Sequence, residues 1–354
     1  MRSFIHRSLP MRIRFGAGES RCLADELDDL GWQRAVIICS PGRADLGRTI
    51  AGTLEPRCAG VIAEAVEHVP TAVVDHAVAG INSLGADSCI AVGGGSAIGL
   101  AKAVALARGT PLAAVPTTFA GSEMTPVWGT TTGGHKTTGR DLRVLPRSVV
   151  YDPELVAGLP VPVAVTSGMN AMAHAVEALY APDTTPIVSL MAEEGIRALG
   201  GALPRIVHDP GDPDGRSDAL YGAWLCGACL GATSMSLHHK LCHVLGGTLG
   251  LPHAPTHAVI LPHVLAFNLV AVPEQVAIVA RALGGGADPA MLLWEFAAHV
   301  QAPRSLQSLG MNEDDIDRVA TEVTAASYGN PRPATVDDIR GLLRAAWEGT
   351  PPQS

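Results

Sequence analysis

Two kinds of hydrophobic pattern divide the chain near its middle. In the first half, short apolar runs rich in β-branched residues stop at turn residues: 34–40 (RAVIICS) before Pro41-Gly42, 88–92 (SCIAV) before Gly93-Gly94-Gly95, 111–115 (PLAAV) before Pro116, and 147–151 (RSVVY) before Asp152-Pro153. Between them, 71–84 and 97–107 carry apolar residues three and four apart, which predicts helices. Short strands alternating with helices predict a parallel sheet of the α/β, Rossmann-like class, because parallel neighbours need a crossover helix between them. Past Asp152-Pro153, long alanine- and leucine-rich stretches of helical period take over and strand signals fade. The pattern therefore predicts an α/β domain over 1–153 and an all-α domain over 154–354. Thr166-Ser167 is placed to cap a helix through 169–180. Residues 209–215 (DPGDPDG) and 329–333 predict loops.

One helical stretch raises a different question. Residues 220–237 carry no formal charge and are long enough to ask whether they span a membrane. Their Gly, Ala, Ser, Thr and Cys content is only mildly apolar, and they run straight into His238-His239-Lys240, so a buried helix is expected instead.

Composition narrows the class. A chain of 354 residues suits two domains, and 47% hydrophobic against 17% charged residues is enough to fill both cores. A formal charge of −9 argues against a nucleic-acid partner, which calls for a basic face. Seven scattered cysteines, an odd number, with no apolar export segment near the N-terminus, predict reduced thiols in a cytoplasmic protein. The Cys226-x-x-Cys229 spacing falls in a predicted buried helix and is read as inert core thiols.

Two features carry chemistry. Gly93-Gly94-Gly95-Ser96 lies between a predicted strand and a predicted helix. Backbone there can approach a ligand closely, and a helix start offers free N–H groups to an anion such as a pyrophosphate. Ser40 ends the first strand where an acidic residue often holds a ribose hydroxyl, and Arg43 follows, so a 2′-phosphate is not repelled and NADPH is expected to serve as well as NADH. The second feature is a group of histidines. Asn170 and His174 are four apart on one predicted helix, His239 and His243 on another, and His253 follows Pro252 in an expected loop, with His257 and His263 beyond it. Imidazoles collected in this way serve either as metal ligands or as acid–base groups.

In order and spacing, 93–102 (GGGSAIGLAK), 115–126 (VPTTFAGSEMTP), 168–181 (GMNAMAHAVEALYA) and 238–258 (HHKLCHVLGGTLGLPHAPTHA) resemble the iron-containing alcohol dehydrogenase superfamily, whose fold is also that of dehydroquinate synthase. The resemblance runs from 15–18 (FGAG) to 329–333 (GNPRP). It implies a nicotinamide cofactor, with Gly94, Gly95 and Ser96 at the pyrophosphate, Thr117 and Thr118 on the nicotinamide side, and Ser40 and Lys136 among the cofactor contacts. It also implies a homodimer. The superfamily's metal ligands match Asn170, His174, His239 and His253, with an asparagine where an aspartate is usual. An amide oxygen is a weaker ligand than a carboxylate, so tight iron binding is not expected and no metal ligand is assigned, although three imidazoles alone can still hold zinc.

That Asn170, with 118–129 (TFAGSEMTPVWG), 135–155 and the His238-His239 pair, is similar to the maleylacetate reductases, a group within the superfamily. The resemblance implies NADH- or NADPH-dependent reduction of the carbon–carbon double bond of maleylacetate to 3-oxoadipate in the breakdown of aromatic compounds. His243 is the expected proton donor, with His174, His239 and His253 beside it. Asn170, His238, Lys240, Lys136 and Arg332 are candidates to hold the dicarboxylate. The alternative is a metal-dependent alcohol or aldehyde dehydrogenase of the same superfamily.

Overall fold

The computed structural model describes residues 4–325 and 328–353. They fall into two compact units: Leu9–Leu159, and the residues from Pro160 onward together with the chain up to Ser8.

The first unit is built on a parallel sheet. Its strands are β1 (Arg12–Phe15), β2 (Ala35–Ile38), β3 (Cys58–Ile62), β4 (Ser88–Gly93), β5 (Leu112–Pro116) and β8 (Ser148–Tyr151), in the order β1-β8-β5-β4-β2-β3. Every neighbouring pair is parallel. Helices α1 (Leu23–Leu30), α2 (Ala44–Thr53), α3 (Thr71–Leu84) and α4 (Gly95–Arg108) connect them. The four inner strands are buried along their whole length, which is why they read as unbroken apolar runs.

The edge strands escaped the pattern. In β1 (RIRF) Arg12 and Arg14 pair with Glu26, so half of the strand is charged. β3 (CAGVI) is only half-buried and carries a glycine. A separate antiparallel hairpin, β6 (Val127–Thr132) and β7 (His135–Arg140), is threonine-rich and largely exposed, and offers no apolar alternation to detect. Gly133 and Gly134, at φ of 57° and 81°, make the two-residue turn between its strands.

The change of unit falls later than the Asp152-Pro153 turn. The buried carboxylate of Asp152 accepts bonds from Gly18 N (3.0 Å), Ser20 N (3.0 Å) and Ser20 Oγ (2.6 Å). These hold the following residues with the sheet, so the helical unit begins at Pro160 rather than at Glu154.

That second unit contains α5 (Val161–Tyr180), α6 (Pro186–His208), α7 (Pro213–Ala232), α8 (Leu237–Leu249), α9 (His253–Asn268), α10 (Pro273–Ala282), α11 (Pro289–His299), α12 (Asp315–Thr324) and α13 (Val336–Glu348), with no strand among its described residues. Helix α5 is buried from Ala164 to Tyr180. Thr166 and Ser167 do not cap it. The helix starts five residues earlier, after Pro160, and their hydroxyls donate back to the carbonyls of Pro162 (2.8 Å) and Val163 (2.6 Å). The 209–215 loop ends at Asp212, whose side chain caps α7 at Asp214 N.

The uncharged stretch 220–237 is not one helix. It runs from α7 into the first residue of α8, and the two helices are bent by 96° across the four residues between them. Thr233 Oγ1 donates to Cys229 O (2.9 Å), and Asp183 accepts the Ser234 N–H (3.0 Å), which stops α7 and turns the chain. Among the described residues no single helix is long and apolar enough to cross a membrane. Cys226 and Cys229 are wholly buried in α7, and burial pushes both thiols up, Cys229 to about 12.

Candidate active site

In the α/β unit, Gly94 ends the strand–helix turn as the N-cap of α4 in an extended conformation, with no side chain bonded to the helix start. No acidic residue occupies the first turn. The first N–H groups of α4 therefore stand available to an anion, reinforced by the helix dipole. Gly93 has φ of 148°, and a Cβ there would sit 2.9 Å from Ala97 Cβ. A Cβ on Gly94 would lie 3.0 Å from both Thr118 Cγ2 and Thr118 Oγ1. Thr117 N bonds to Gly93 O at 3.1 Å, so the two cofactor segments expected from sequence are joined directly. These residues fit a pyrophosphate-bearing cofactor. The turn needs no side chain at Gly93 or Gly94, and Thr117 and Thr118 stand beside it.

Below this turn, Lys102 is buried in α4. Its Nζ donates to Ser122 O (2.6 Å), Thr125 Oγ1 (2.9 Å) and Val127 O (2.9 Å), tying α4 to the segment that follows Thr118. Burial lowers Lys102 to about 7, yet three acceptors match the three N–H of an ammonium, and this geometry favours the charged form. Tyr151 donates to Glu123 Oε1 at 2.8 Å beside it, and burial raises the Glu123 carboxyl.

In the helical unit, α5, α8 and α9 bring together a layer of imidazoles. His174 (α5) meets His239 (α8) with Nδ1 to Nε2 at 2.9 Å. His239 Nδ1 lies 2.6 Å from Glu177 Oε2, one turn along α5 from His174. Behind this pair, His238 Nε2 meets His257 Nδ1 at 3.0 Å, with Cys242 Sγ at 3.8 Å from the same nitrogen. The His257 ring also packs edge-on against His253 (4.3 Å between centroids) and His239 (5.0 Å). His174 and His239 are nearly buried, whereas His238 and His257 are wholly buried and burial holds both well below the usual histidine range, hence neutral. His243 and His253 are exposed at the rim of the layer, the His243 ring 6.2 Å from His239.

Residues 10–153 match the iron-containing alcohol dehydrogenase model and 164–347 the C-terminal model of the Fe-containing alcohol dehydrogenase family. The chain belongs to the iron-containing alcohol dehydrogenase family. It is 52% identical to a maleylacetate reductase of Sphingobium indicum over 99% of each chain. Crystal structures of maleylacetate reductases from Agrobacterium tumefaciens and Rhizobium sp. each superpose with a TM-score of 0.96 at 48% identity, covering 99% of this chain and 100% of theirs.

The family's name implies iron, and the four positions that the sequence resemblance assigns to it are Asn170, His174, His239 and His253. The donor set here does not fit that ion well. Asn170 supplies a neutral amide oxygen, buried and without a hydrogen-bond partner. His239 Nε2 and His174 Nδ1 lie 2.9 Å apart and face each other. The carboxylate at the layer, Glu177, is engaged by His239 Nδ1 and by the backbone N–H of Ser236 (3.0 Å) and His238 (2.7 Å). A divalent cation at these four positions would lack an anionic ligand.

The structure separates some residues that the sequence had grouped. His253 is not in a loop; it is the first residue of α9, after the Pro252 N-cap. That places His253 and His257 on one face of one helix. His238, expected to hold a substrate carboxylate, is wholly buried with its ring bonded to His257, so it faces the core instead. Arg332 lies at the far end of α9, its guanidinium over Phe267 (4.2 Å) and donating to Phe267 O (3.2 Å). Ten residues of helix separate Phe267 from His257, about 15 Å of rise, so Arg332 serves that end of α9 and not the histidine layer. Lys240 is half-buried on α8 next to His239. Lys136 is exposed on β7, and Ser40 leads from β2 into the short turn that contains Arg43. His263, six residues past His257, is buried and lowered to about 4.

Glu177 was missed in the sequence although it stands three residues after His174 and so shares its face of α5. A lone acidic residue in an apolar helix was the available signal, because such a group is buried only with a partner.

Proposed function

We propose that the chain reduces maleylacetate to 3-oxoadipate at the expense of NADH or NADPH. The observation that carries the reading is the buried His174–His239 pair held by Glu177, with Asn170 where the family's metal site calls for a carboxylate. Near-full-length identity of 52% to a maleylacetate reductase supports the same substrate.

The substrate's double bond is conjugated to its ketone. Bound NAD(P)H supplies hydride to the carbon β to that ketone. The turn at Gly94, Gly95 and Ser96 would hold the pyrophosphate, with Thr117 and Thr118 toward the nicotinamide. Negative charge then develops on the ketone oxygen as an enolate, and N–H groups aimed at it lower the barrier. His253, exposed at the rim of the layer, supplies such a donor without a metal, with the His174–His239 pair, whose own N–H groups are engaged by each other and by Glu177, behind it. His243, exposed one helical turn beyond His239, delivers the proton to the carbon α to the ketone. Lys240 is the remaining cationic partner for the substrate carboxylates. The reading also places the chain in the cytoplasm as a homodimer, in keeping with seven free cysteines and with the family resemblance.

Loss of nicotinamide absorbance on adding maleylacetate tests the proposal, run with NADH and NADPH and with or without EDTA. Turnover with either cofactor at a rate that EDTA leaves unchanged is expected. Oxidation only with an aldehyde and added metal would assign a metal-dependent alcohol dehydrogenase instead.

A further inference from the structure

Glu177 does two things at once. Ser236 is the N-cap of α8 and offers no side-chain bond to that helix. The cap is supplied from another helix: Glu177 Oε1 accepts the His238 N–H at 2.7 Å, and Oε2 accepts the Ser236 N–H at 3.0 Å. A negative group at a helix N-terminus is favoured by the dipole, so the carboxylate is well placed. Two backbone bonds would satisfy a cap. The third bond, from Oε2 to His239 Nδ1 at 2.6 Å, goes to the imidazole layer.

That third bond has a directional consequence. A carboxylate only accepts, so His239 must donate from Nδ1. A neutral imidazole carries one proton, so His239 Nε2 is then an acceptor. With His239 neutral, its Nε2 faces His174 Nδ1 at 2.9 Å, and His174 Nδ1 is then the donor. Each link leaves one arrangement for the next. His239 is then not left to choose its own tautomer, and the choice at His174 follows from Glu177 through His239.

We propose that Glu177 is a positioning residue of the site, fixing His239 and, through it, His174 in the Nδ1–H form. The second imidazole pair is the internal contrast. His238 and His257 also share one hydrogen bond, but His238 Nδ1 and His257 Nε2 have no hydrogen-bond partner, so no carboxylate sets their direction. The ordered pair serves the reaction and the unordered pair fills the core behind it. The kinetic consequence rests on the reductase reading above; the tautomers themselves do not.

The test has two arms. Nitrogen-15 NMR of histidine-labelled full chain, with the two rings assigned through His174→Asn and His239→Asn, reads which nitrogen carries the proton. A protonated Nδ1 and bare Nε2 on His239 are expected, and an Nε2–H form at His239 overturns the proposal. In the second arm Glu177→Gln is compared with Glu177→Asp. Gln cannot accept at both oxygens, and kcat is expected to fall roughly 10- to 100-fold with KM for maleylacetate and NADH affinity little changed. Asp keeps the carboxylate and is expected to recover a large part of that loss. Equal loss in both variants, or kcat within twofold of the parent in Gln, would leave Glu177 a helix cap and overturn the positioning role. If Gln fails to fold, or if the parent turns over no maleylacetate, the NMR arm still decides.

Discussion

At the start of α4 the groups offered to the proposed cofactor are backbone N–H, and side chains matter by their absence: a Cβ on Gly93 or Gly94 would press on Ala97 or Thr118. Among α5, α8 and α9 the working groups are side chains, each held by another in a chain of bonds from Glu177 through His239 to His174. The first region is preorganised by local geometry, within one strand–helix turn. The second exists only when α5 is packed against α8 and α9, with Glu177 and His239 62 positions apart in the chain. Failure should accordingly differ in kind: damage to the turn costs affinity, and damage to the histidine layer costs rate.

The largest expected effect is at His239. Replacing it with Ala removes the link between Glu177 and His174, and kcat is expected to fall by about 10²–10⁴ while the fluorescence-measured Kd for NADH stays within about twofold. A comparable loss of cofactor affinity would break the contrast. The reverse dissociation is expected for Gly94→Val. Crowding Thr118 costs about 1–3 kcal/mol, which should weaken NADH binding roughly tenfold in the same titration, with kcat at saturating cofactor largely retained. The smallest effect on the reaction, though not on the fold, belongs to Lys102→Met. It strips donors from Ser122 O, Thr125 Oγ1 and Val127 O. A loss of about 2–4 kcal/mol should lower Tm by roughly 5–10 °C in calorimetry. An unchanged Tm would mean that Lys102 does not anchor the segment after Thr118.

The same contrast explains what could be read from the sequence. The glycine turn was legible because strand, glycines and helix are contiguous, and the four inner strands because burial on both faces leaves unbroken apolar runs. The i,i+4 pairs Asn170/His174 and His239/His243 were legible for the same local reason. Partners across helices were not. Nothing in the spacing tells that His238 turns inward to His257 while His239 turns to His174, or that Arg332 stacks on Phe267 at the other end of α9. Edge strand β1 was hidden by arginines whose acidic partners come from elsewhere in its unit, and the start of α5 by threonine and serine hydroxyls that bond inside a helix instead of capping it. The 220–237 stretch looked continuous because the bend after α7 is imposed by Asp183 and Glu177, residues some 50 positions upstream.

The cap that Glu177 gives α8 also shapes how this protein can change over generations. Substitution there is felt by helix stability and by the imidazoles together, so its effects cannot be separated by a second change at either histidine. Positions 174, 177 and 239 form one epistatic unit, in which a double replacement should cost much less than the sum of its single steps. A lineage could leave this arrangement only after stability had been gained elsewhere. The glycine turn imposes no such condition, because none of its residues is a link in that chain of bonds.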